Sequence, residues 1–273
     1  MVVASPQPNL VAIKGRQQLT WGAGDYTRVG NVLVITAEQL CEAIDLHAGQ
    51  RVLDVASGSG NAALAAARRF CDVTATDYVP ALLADGRKRA EADGLTIAFQ
   101  EADAEQLPFP DASYDVVLST FGAMFAPDQP QVARELLRVC RPGGKIGMVN
   151  WTPEGYLGDF FRTMGKHVPP PAGVRSPMLW GNEDRLRELF GDGVAELTMT
   201  RRMFAFRFPS PIFWIDYFRT HYGPTLKAFE SLDAPGRERL TADLTALIGR
   251  HNTSGDATMV VPSEYLEVVA VRR

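Results

Sequence analysis

The stretch Arg51-Val-Leu-Asp-Val-Ala-Ser-Gly-Ser-Gly-Asn-Ala-Ala-Leu64 decides how the rest of the chain is interpreted. Residues 51–55 form an almost unbroken apolar run, which predicts a short buried strand. Small residues at 57–60 predict a tight turn, Asn61 can cap a helix, and the alanine-rich run 62–69 predicts that helix. A strand, a glycine turn and a helix in this order present free backbone amides at the helix start. The stretch therefore predicts a ligand-binding edge.

The residues around the turn narrow the class of ligand. The turn lacks the Gly-Lys-Ser/Thr ending of a nucleoside-triphosphate loop, which argues against that ligand. The spacing Gly58-x-Gly60-x-x-Ala63, together with Asp77, fits a dinucleotide site in part, and this alternative stays open. Asp54 favours a different ligand, because a carboxylate before the turn repels a pyrophosphate and attracts a cationic head such as an α-ammonium group.

Strands alternate with helices along the next hundred residues. Apolar runs predict strands at 72–76, 95–100, 114–120 and 145–150, and helical spacing predicts helices at 32–44, 81–92 and 129–139. This alternation is typical of an α/β fold with a doubly wound, mostly parallel sheet, in which ligands bind beyond the carboxyl ends of the strands. The residues expected at or near such ends are Asp54, Asp77, Asp103 and Thr120.

The two ends of the chain are less regular. Residues 1–20 are predicted to be a loose lead-in, and 20–28 a mobile segment that folds over the site. After residue 152 the patterns predict helices at 157–165 and 183–190, a strand at 194–208, two or three helices within 211–249 and a last strand at 265–271.

Several spaced motifs now give a family resemblance. Asp54-x-Ala56-x-Gly58-x-Gly60 resembles the first motif of the class I S-adenosylmethionine-dependent methyltransferases. Four later stretches of the chain resemble the family's further motifs. They are Asp77, the segment 102–105, the run 107–118 and Leu-Leu-Arg-Val-Cys-Arg-Pro-Gly-Gly at 136–144. The residues in these motifs are similar to those of the branch that includes small-molecule and quinone-biosynthesis C-methyltransferases. The family usually has glycine at Ala56; we expect the turn to avoid a left-handed backbone there, which would cost alanine roughly 1–2 kcal/mol.

The resemblance implies a fold, a cofactor and a set of contacts. It implies a Rossmann-like, seven-stranded sheet with a helical lid insertion before the last strand. The chain would divide into an N-terminal lid segment and helix (1–48), a core that binds S-adenosyl-L-methionine (49–152), and the remaining strands with an acceptor-binding lid (153–273), all in one compact domain. Asp77 would hold the ribose hydroxyls, and Asp103 the adenine amino group. The full set of expected cofactor contacts is Asp54, Ala56, Ser57, Gly58, Gly60, Asp77, Tyr78, Asp103, Ala104, Glu105, Thr120, Trp21 and Tyr26.

Acceptor binding is expected from aromatic residues outside the core, which predicts a small apolar or aromatic acceptor. The candidates are Trp21, Tyr26, Phe121, Phe125, Trp151, Trp180, Phe213, Trp214, Tyr217 and Tyr222. Because a sulfonium already activates the methyl group, positioning and desolvation can supply most of the acceleration, and we assign no catalytic residue. Two other hypotheses stay open: a nicotinamide-dependent oxidoreductase, and a module that binds the cofactor without catalysis.

Composition excludes other classes of function. The net charge of −4 over 273 residues gives no nucleic-acid footprint. Cys41, Cys71 and Cys140 are far apart without a Cys-x-x-Cys motif, and the histidines are isolated, so no metal site is predicted. No apolar run is long enough to span a bilayer, and no signal pattern is present at the start. We expect a cytoplasmic protein, and a homo-oligomer stays open.

Overall fold

The computed structural model describes residues 9–273. Its sheet contains seven strands: β1 (Arg51–Val55), β2 (Asp72–Asp77), β3 (Ala98–Glu101), β4 (Tyr114–Thr120), β5 (Cys140–Trp151), β6 (Val194–Phe208) and β7 (Met259–Arg272). Their spatial order is β3-β2-β1-β4-β5-β7-β6. Strands β1 to β5 are mutually parallel, and β7 pairs antiparallel with both β5 and β6. The predicted α/β class and mostly parallel sheet are confirmed.

Helices cover the sheet and one of its edges. Within the described residues they are α1 (Leu10–Gly22), α2 (Tyr26–Asn31), α3 (Val34–Ala43), α4 (Asn61–Ala67), α5 (Pro80–Ala92), α6 (Gln129–Val139), α7 (Gly155–His167), α8 (Glu183–Phe190), α9 (Pro211–His221), α10 (Gly223–Ser231) and α11 (Ala234–His251). Short 3-10 turns lie at Ala123–Phe125, Pro177–Gly181 and Gly191–Gly193. Helices α9 to α11 form the insertion between β6 and β7.

The core lies between the central strands and the helices on each face. Val52 and Leu53 of β1 and Val117 of β4 are fully buried. Every residue of α4 from Ala62 to Ala67 is buried, and these small side chains let the helix lie close to the sheet. Full burial of a side chain such as Leu40 on α3 stabilises the fold by roughly 1.5–3 kcal/mol.

The N-terminal prediction is wrong within the described residues. Residues 10–22 form α1, whose start is capped by the Asn9 side chain, which accepts a hydrogen bond from the Ala12 amide. Ile13 alone on this helix is buried, so the sequence carries no apolar stripe that would have revealed it. Asp25 caps α2 in the segment expected to be mobile. Residues 1–8 of the expected lead-in lie outside the described residues.

Two further local predictions are corrected. Gly60, in the left-handed region at φ 87°, occupies the N-cap of α4 in place of Asn61. The Asn61 side chain instead donates to the Gly30 carbonyl and accepts from Arg89. Strand β7 begins six residues before its predicted start at Tyr265, because its first residues pair with the end of β6.

The described residues contain no helix that is both long and apolar enough to cross a membrane. The same part of the chain contains no cluster of three or more metal-ligating side chains. The three cysteines are buried and free.

Candidate functional site

A cavity opens at the carboxyl ends of the parallel strands. Asp77 reaches it from the end of β2, and Asp103 and Ser57 reach it from the segments after β3 and β1, which flank β2 in the sheet. Phe121 and Trp151 reach it from the ends of β4 and β5 on the other side. The strand order therefore divides the cavity into a polar side and an aromatic side.

The turn after β1 is shaped to admit a ligand. Gly58 has φ 56°, and a Cβ atom placed on it would meet nothing within 4 Å. The Ser57 hydroxyl is buried and has no hydrogen-bond partner among the described residues. A buried hydroxyl that lacks a hydrogen-bond partner, next to backbone that carries no side chain, fits the polar amino-acid end of a ligand such as S-adenosyl-L-methionine.

Ala56 adopts the backbone that we expected it to avoid. Its φ is 53°, in the left-handed region. The segment after β4 packs directly on it, since a Cβ atom at Gly122 would lie 2.0 Å from the Ala56 carbonyl oxygen. The close packing of this neighbouring backbone holds Ala56 in a conformation that alanine disfavours by about 1–2 kcal/mol.

Asp54 lies below the cavity and does not line it. The side chain is fully buried, and Oδ2 accepts a hydrogen bond of 2.8 Å from the Ala63 amide of α4. Oδ1 has no partner among the described residues. Burial raises the pKa of this carboxyl to about 7, although the Ala63 amide opposes that change. Asp54 thus fixes the start of α4, and its place differs from the direct ligand contact that we expected.

Asp77 lines the cavity and is held firmly in place. Oδ2 accepts from the Gly58 amide and Oδ1 from the Val79 amide, both at 2.9 Å. Burial raises the pKa of Asp77 to about 6, while these amides oppose the change. Each carboxylate oxygen keeps a further lone pair, so Asp77 can still accept hydrogen bonds from ligand hydroxyls.

Lys14 is a site residue that the sequence did not indicate. Its Nζ lies 2.6 Å from Asp103 Oδ2 and 2.8 Å from Glu105 Oε2. Asp103 lines the cavity, whereas Glu105 and Gly60 do not. No sequence signal could identify Lys14, because its helix has one buried residue and therefore no apolar periodicity.

The other expected cofactor contacts meet at the same place. The cavity lining includes Ala56, Tyr78, Ala104, Thr120, Trp21 and Tyr26. Burial raises the pKa of the Tyr26 hydroxyl well above its ordinary range. Burial also raises the pKa of the Tyr78 hydroxyl.

Aromatic rings form the opposite side. Phe121, with φ 53°, stacks on Trp151 with ring centroids 4.0 Å apart and an interplanar angle of 11°. Phe125, Trp214 and Tyr222 also line the cavity, as expected. The lining includes further apolar side chains that sequence reasoning missed, namely Leu157, Phe160, Phe161, Phe206 and Phe218. In the sequence these belong to ordinary amphipathic patterns.

Three expected acceptor contacts lie elsewhere. Trp180 is fully buried in a 3-10 turn against Phe190. Tyr217 packs on Phe208 and donates its hydroxyl to the Arg28 carbonyl at 2.9 Å. Phe213 is 46% exposed and does not line the cavity. Aromatic type alone could not separate these packing residues from those that face the cavity.

Two distant segments meet over the cavity. The Asp25 amide donates to the His221 carbonyl at 2.9 Å, and the Gly223 amide donates to the Tyr26 hydroxyl at 3.2 Å. A Cβ atom on Gly24 would lie 2.5 Å from the His221 carbonyl oxygen. The turn between α1 and α2 therefore sits directly on the turn between α9 and α10.

Comparison with known proteins identifies the family. The family model described as a methyltransferase domain matches residues 53–148. An uncharacterized protein of Mycobacterium tuberculosis is 39% identical over 271 residues, which cover 97% of each chain. A demethylmenaquinone methyltransferase of Deinococcus radiodurans is 39% identical over 132 residues, covering 47% of this chain and 55% of the relative.

Solved structures share the fold. The YcgJ protein from Bacillus subtilis has a TM-score of 0.60 at 18% identity, covering 87% of this chain and 97% of that one. A Haemonchus contortus phosphoethanolamine N-methyltransferase, solved with S-adenosylhomocysteine, has a TM-score of 0.56 at 16% identity, covering 87% of this chain and 52% of that one. At these identities the likeness concerns the fold.

Proposed function

Since the chain belongs to the methyltransferase-domain family, we propose that this S-adenosyl-L-methionine-dependent enzyme transfers a methyl group to a small apolar or aromatic molecule. One observation carries the proposal: a single cavity joins a polar side, built after β1 to β3, to an aromatic side built after β4 and β5. Such a cavity can hold a polar nucleoside and an apolar acceptor next to each other.

The polar side suits the cofactor. We assign the ribose hydroxyls to Asp77, whose backbone hydrogen bonds fix its carboxylate in one orientation. Asp103 and the Ala104 amide are assigned to the adenine ring. The Ser57 hydroxyl and the open side of Gly58 are assigned to the amino-acid end. Asp54 is a positioning residue in this proposal, because it acts through the start of α4.

The aromatic side suits a flat apolar acceptor. The stacked pair Phe121 and Trp151 offers a ring face beside Thr120, at the end of β4. The relative from Deinococcus radiodurans is a demethylmenaquinone methyltransferase, which acts on a quinone. Because that match covers under half of this chain, it supports the acceptor class and does not identify the acceptor.

The chain's own contribution to the reaction is to position the reactants and exclude water. S-adenosyl-L-methionine supplies a methyl group that its sulfonium has already activated. Tyr26 and Tyr222 lie beside the cavity, and burial raises the pKa of both hydroxyls, so both stay protonated near neutral pH. They can donate hydrogen bonds, but they are poor general bases. The acceptor must therefore arrive with a nucleophilic atom that needs no deprotonation by these groups.

Three measurements test the proposal. Isothermal titration calorimetry should show binding of S-adenosyl-L-methionine and S-adenosyl-L-homocysteine, and a fluorescence titration should show no binding of NADH. Incubation with methyl-labelled cofactor and fractionated cell extract should place label in an organic-soluble product. Binding of NADH without either adenosyl compound would support the oxidoreductase alternative. Cofactor binding without label transfer to any fraction would support the non-catalytic alternative.

A further inference from the structure

Lys14 connects the first helix to the nucleoside side of the cavity. Its Nζ bridges Asp103 and Glu105 at 2.6 and 2.8 Å. Among the described residues that line the cavity, Lys14 is the one lysine or arginine, whereas Asp77 and Asp103 both contribute carboxylates. Lys14 is therefore the one basic side chain, lysine or arginine, in the described lining on the nucleoside side of the cavity.

The two carboxylates that Lys14 bridges differ in freedom. Glu105 is fixed, because Oε1 accepts from the Asp128 amide at 2.8 Å and its carbonyl accepts from Gln131 at 2.9 Å. Its side chain is only 7% exposed. Asp103 is 31% exposed, and its Oδ1 accepts from the Glu105 amide. Lys14 thus ties the more open carboxylate to a rigid one, which fixes the direction of Asp103.

Helix α1 depends on contacts of this kind. Ile13 is its one buried residue. Gln17 donates to the Phe125 carbonyl at 3.0 Å, and Gln18 donates to the Tyr78 carbonyl. Both carbonyls belong to residues that line the cavity. Trp21, near the end of the helix, packs on Phe125 with ring centroids 4.8 Å apart. Because the rest of the helix buries little apolar surface, its polar contacts also help to determine how long it stays closed.

We propose that Lys14 is a positioning residue that orients Asp103 toward the cofactor's adenine and latches α1 over the bound nucleoside. The inference rests on the proposed function, because it needs the cofactor's adenine beside Asp103. It adds that cofactor exchange requires the Lys14 ion pairs to break, so the first helix controls the rate of release. A wholly structural lysine would leave that rate unchanged.

The test compares Lys14→Met, which keeps the side-chain length without the charge, with the full-length wild-type protein. Release of S-adenosyl-L-homocysteine is followed by stopped-flow fluorescence at low and high salt. We expect release at least about tenfold faster in Lys14→Met. Wild-type release should accelerate with salt, because ions screen the partly exposed pair, and the variant should respond less. Lys14→Arg should restore slow release in part.

Lys88→Met is the matched control, since Lys88 pairs with Asp85 at 2.8 Å on an exposed surface. It should match the wild type in every measurement. Hydrogen exchange then checks the latch directly. Bound S-adenosyl-L-homocysteine should protect the amides of residues 10–22 from exchange more strongly in the wild type than in Lys14→Met. The amides of residues 57–60 should be protected equally in both proteins. Wild-type binding with unchanged release and exchange in Lys14→Met overturns this inference alone. Failure of the wild type to bind the product overturns the proposed function as well.

Discussion

Replacing Asp54 with asparagine should stabilise the protein at neutral pH and not at acidic pH. The Asp54 carboxyl is fully buried, one oxygen has no partner, and its pKa is raised to about 7 from an ordinary value of 3.8. One pKa unit corresponds to about 1.4 kcal/mol, so the ionised form costs the folded state roughly 4 kcal/mol at high pH. Asparagine keeps an oxygen for the Ala63 amide but buries an unpaired NH₂ group, which costs about 1–3 kcal/mol. The expected net gain above pH 7 is about 1–3 kcal/mol.

The pH dependence has a definite sign. Because the folded pKa of Asp54 is raised, the folded state holds this proton more tightly than the unfolded state does. Its contribution to stability is present below pH 3.8 and is lost as the pH rises to about 7. The stability of Asp54→Asn relative to the wild type should therefore rise by up to about 1.4 kcal/mol per pH unit between pH 4 and 7, and stay constant above.

Urea unfolding of both proteins at pH 5, 6, 7 and 8 measures this difference, because titrating groups remote from Asp54 cancel between them. Asp77 is the exception, since its charge contributes, after burial, to the raised pKa of Asp54. Asp45→Asn is a control, since Asp45 is exposed beside His47 and the pKa of its carboxyl is lowered by that partner. A difference between wild type and Asp54→Asn that does not vary with pH would refute the reasoning, and would mean that Asp54 is not an isolated buried acid.

Three other substitutions probe the site. Asp77→Ala should weaken S-adenosyl-L-homocysteine binding by about 1–3 kcal/mol in calorimetry through lost charge-assisted hydrogen bonds; unchanged affinity would place the ribose elsewhere. Ala56→Gly should raise stability by roughly 0.5–1 kcal/mol in urea unfolding, because relief of the left-handed backbone exceeds the entropy that glycine loses; a lower stability would contradict the strain at φ 53°. Gly24→Ala should lower the melting temperature and speed hydrogen exchange at 20–26, because its Cβ atom would lie 2.5 Å from the His221 carbonyl oxygen. Gly15→Ala, where a Cβ atom meets nothing within 4 Å, is the matched control, and equal effects of the two would show that the contact between the α1–α2 turn and the α9–α10 turn is loose.

The sequence predicted the central part of the fold well. Strands such as β4, with its run of buried apolar residues, carry a periodic signal, and β4 was predicted with its observed bounds. Asp77 and Asp103 could be placed at the cavity because strand ends follow directly from strand positions. The local sequence pattern was sufficient to predict a residue's position wherever that position depended on the residue's own strand or helix.

Features that depend on distant packing were not predictable. Helix α1 has one buried residue, and its contacts reach residues about ninety positions away, such as Asp103. The strain at Ala56 comes from Gly122 on the neighbouring strand end. Trp180 and Trp214 look alike in sequence and are both buried, and only the path of the chain places Trp214 and not Trp180 beside the cavity.

The position of β7 has a consequence for how the protein is made. This last strand lies between β5 and β6, and both pair with it along most of their length. On the ribosome, β5 and β6 are therefore synthesised before β7, and the edges that pair with β7 stay unpaired until the residues of β7 leave the exit tunnel. Open edges of that length are templates for association between chains. The growing polypeptide thus depends on β7 to complete the sheet, and a chain that stops before β7 would expose unpaired edges on β5 and β6.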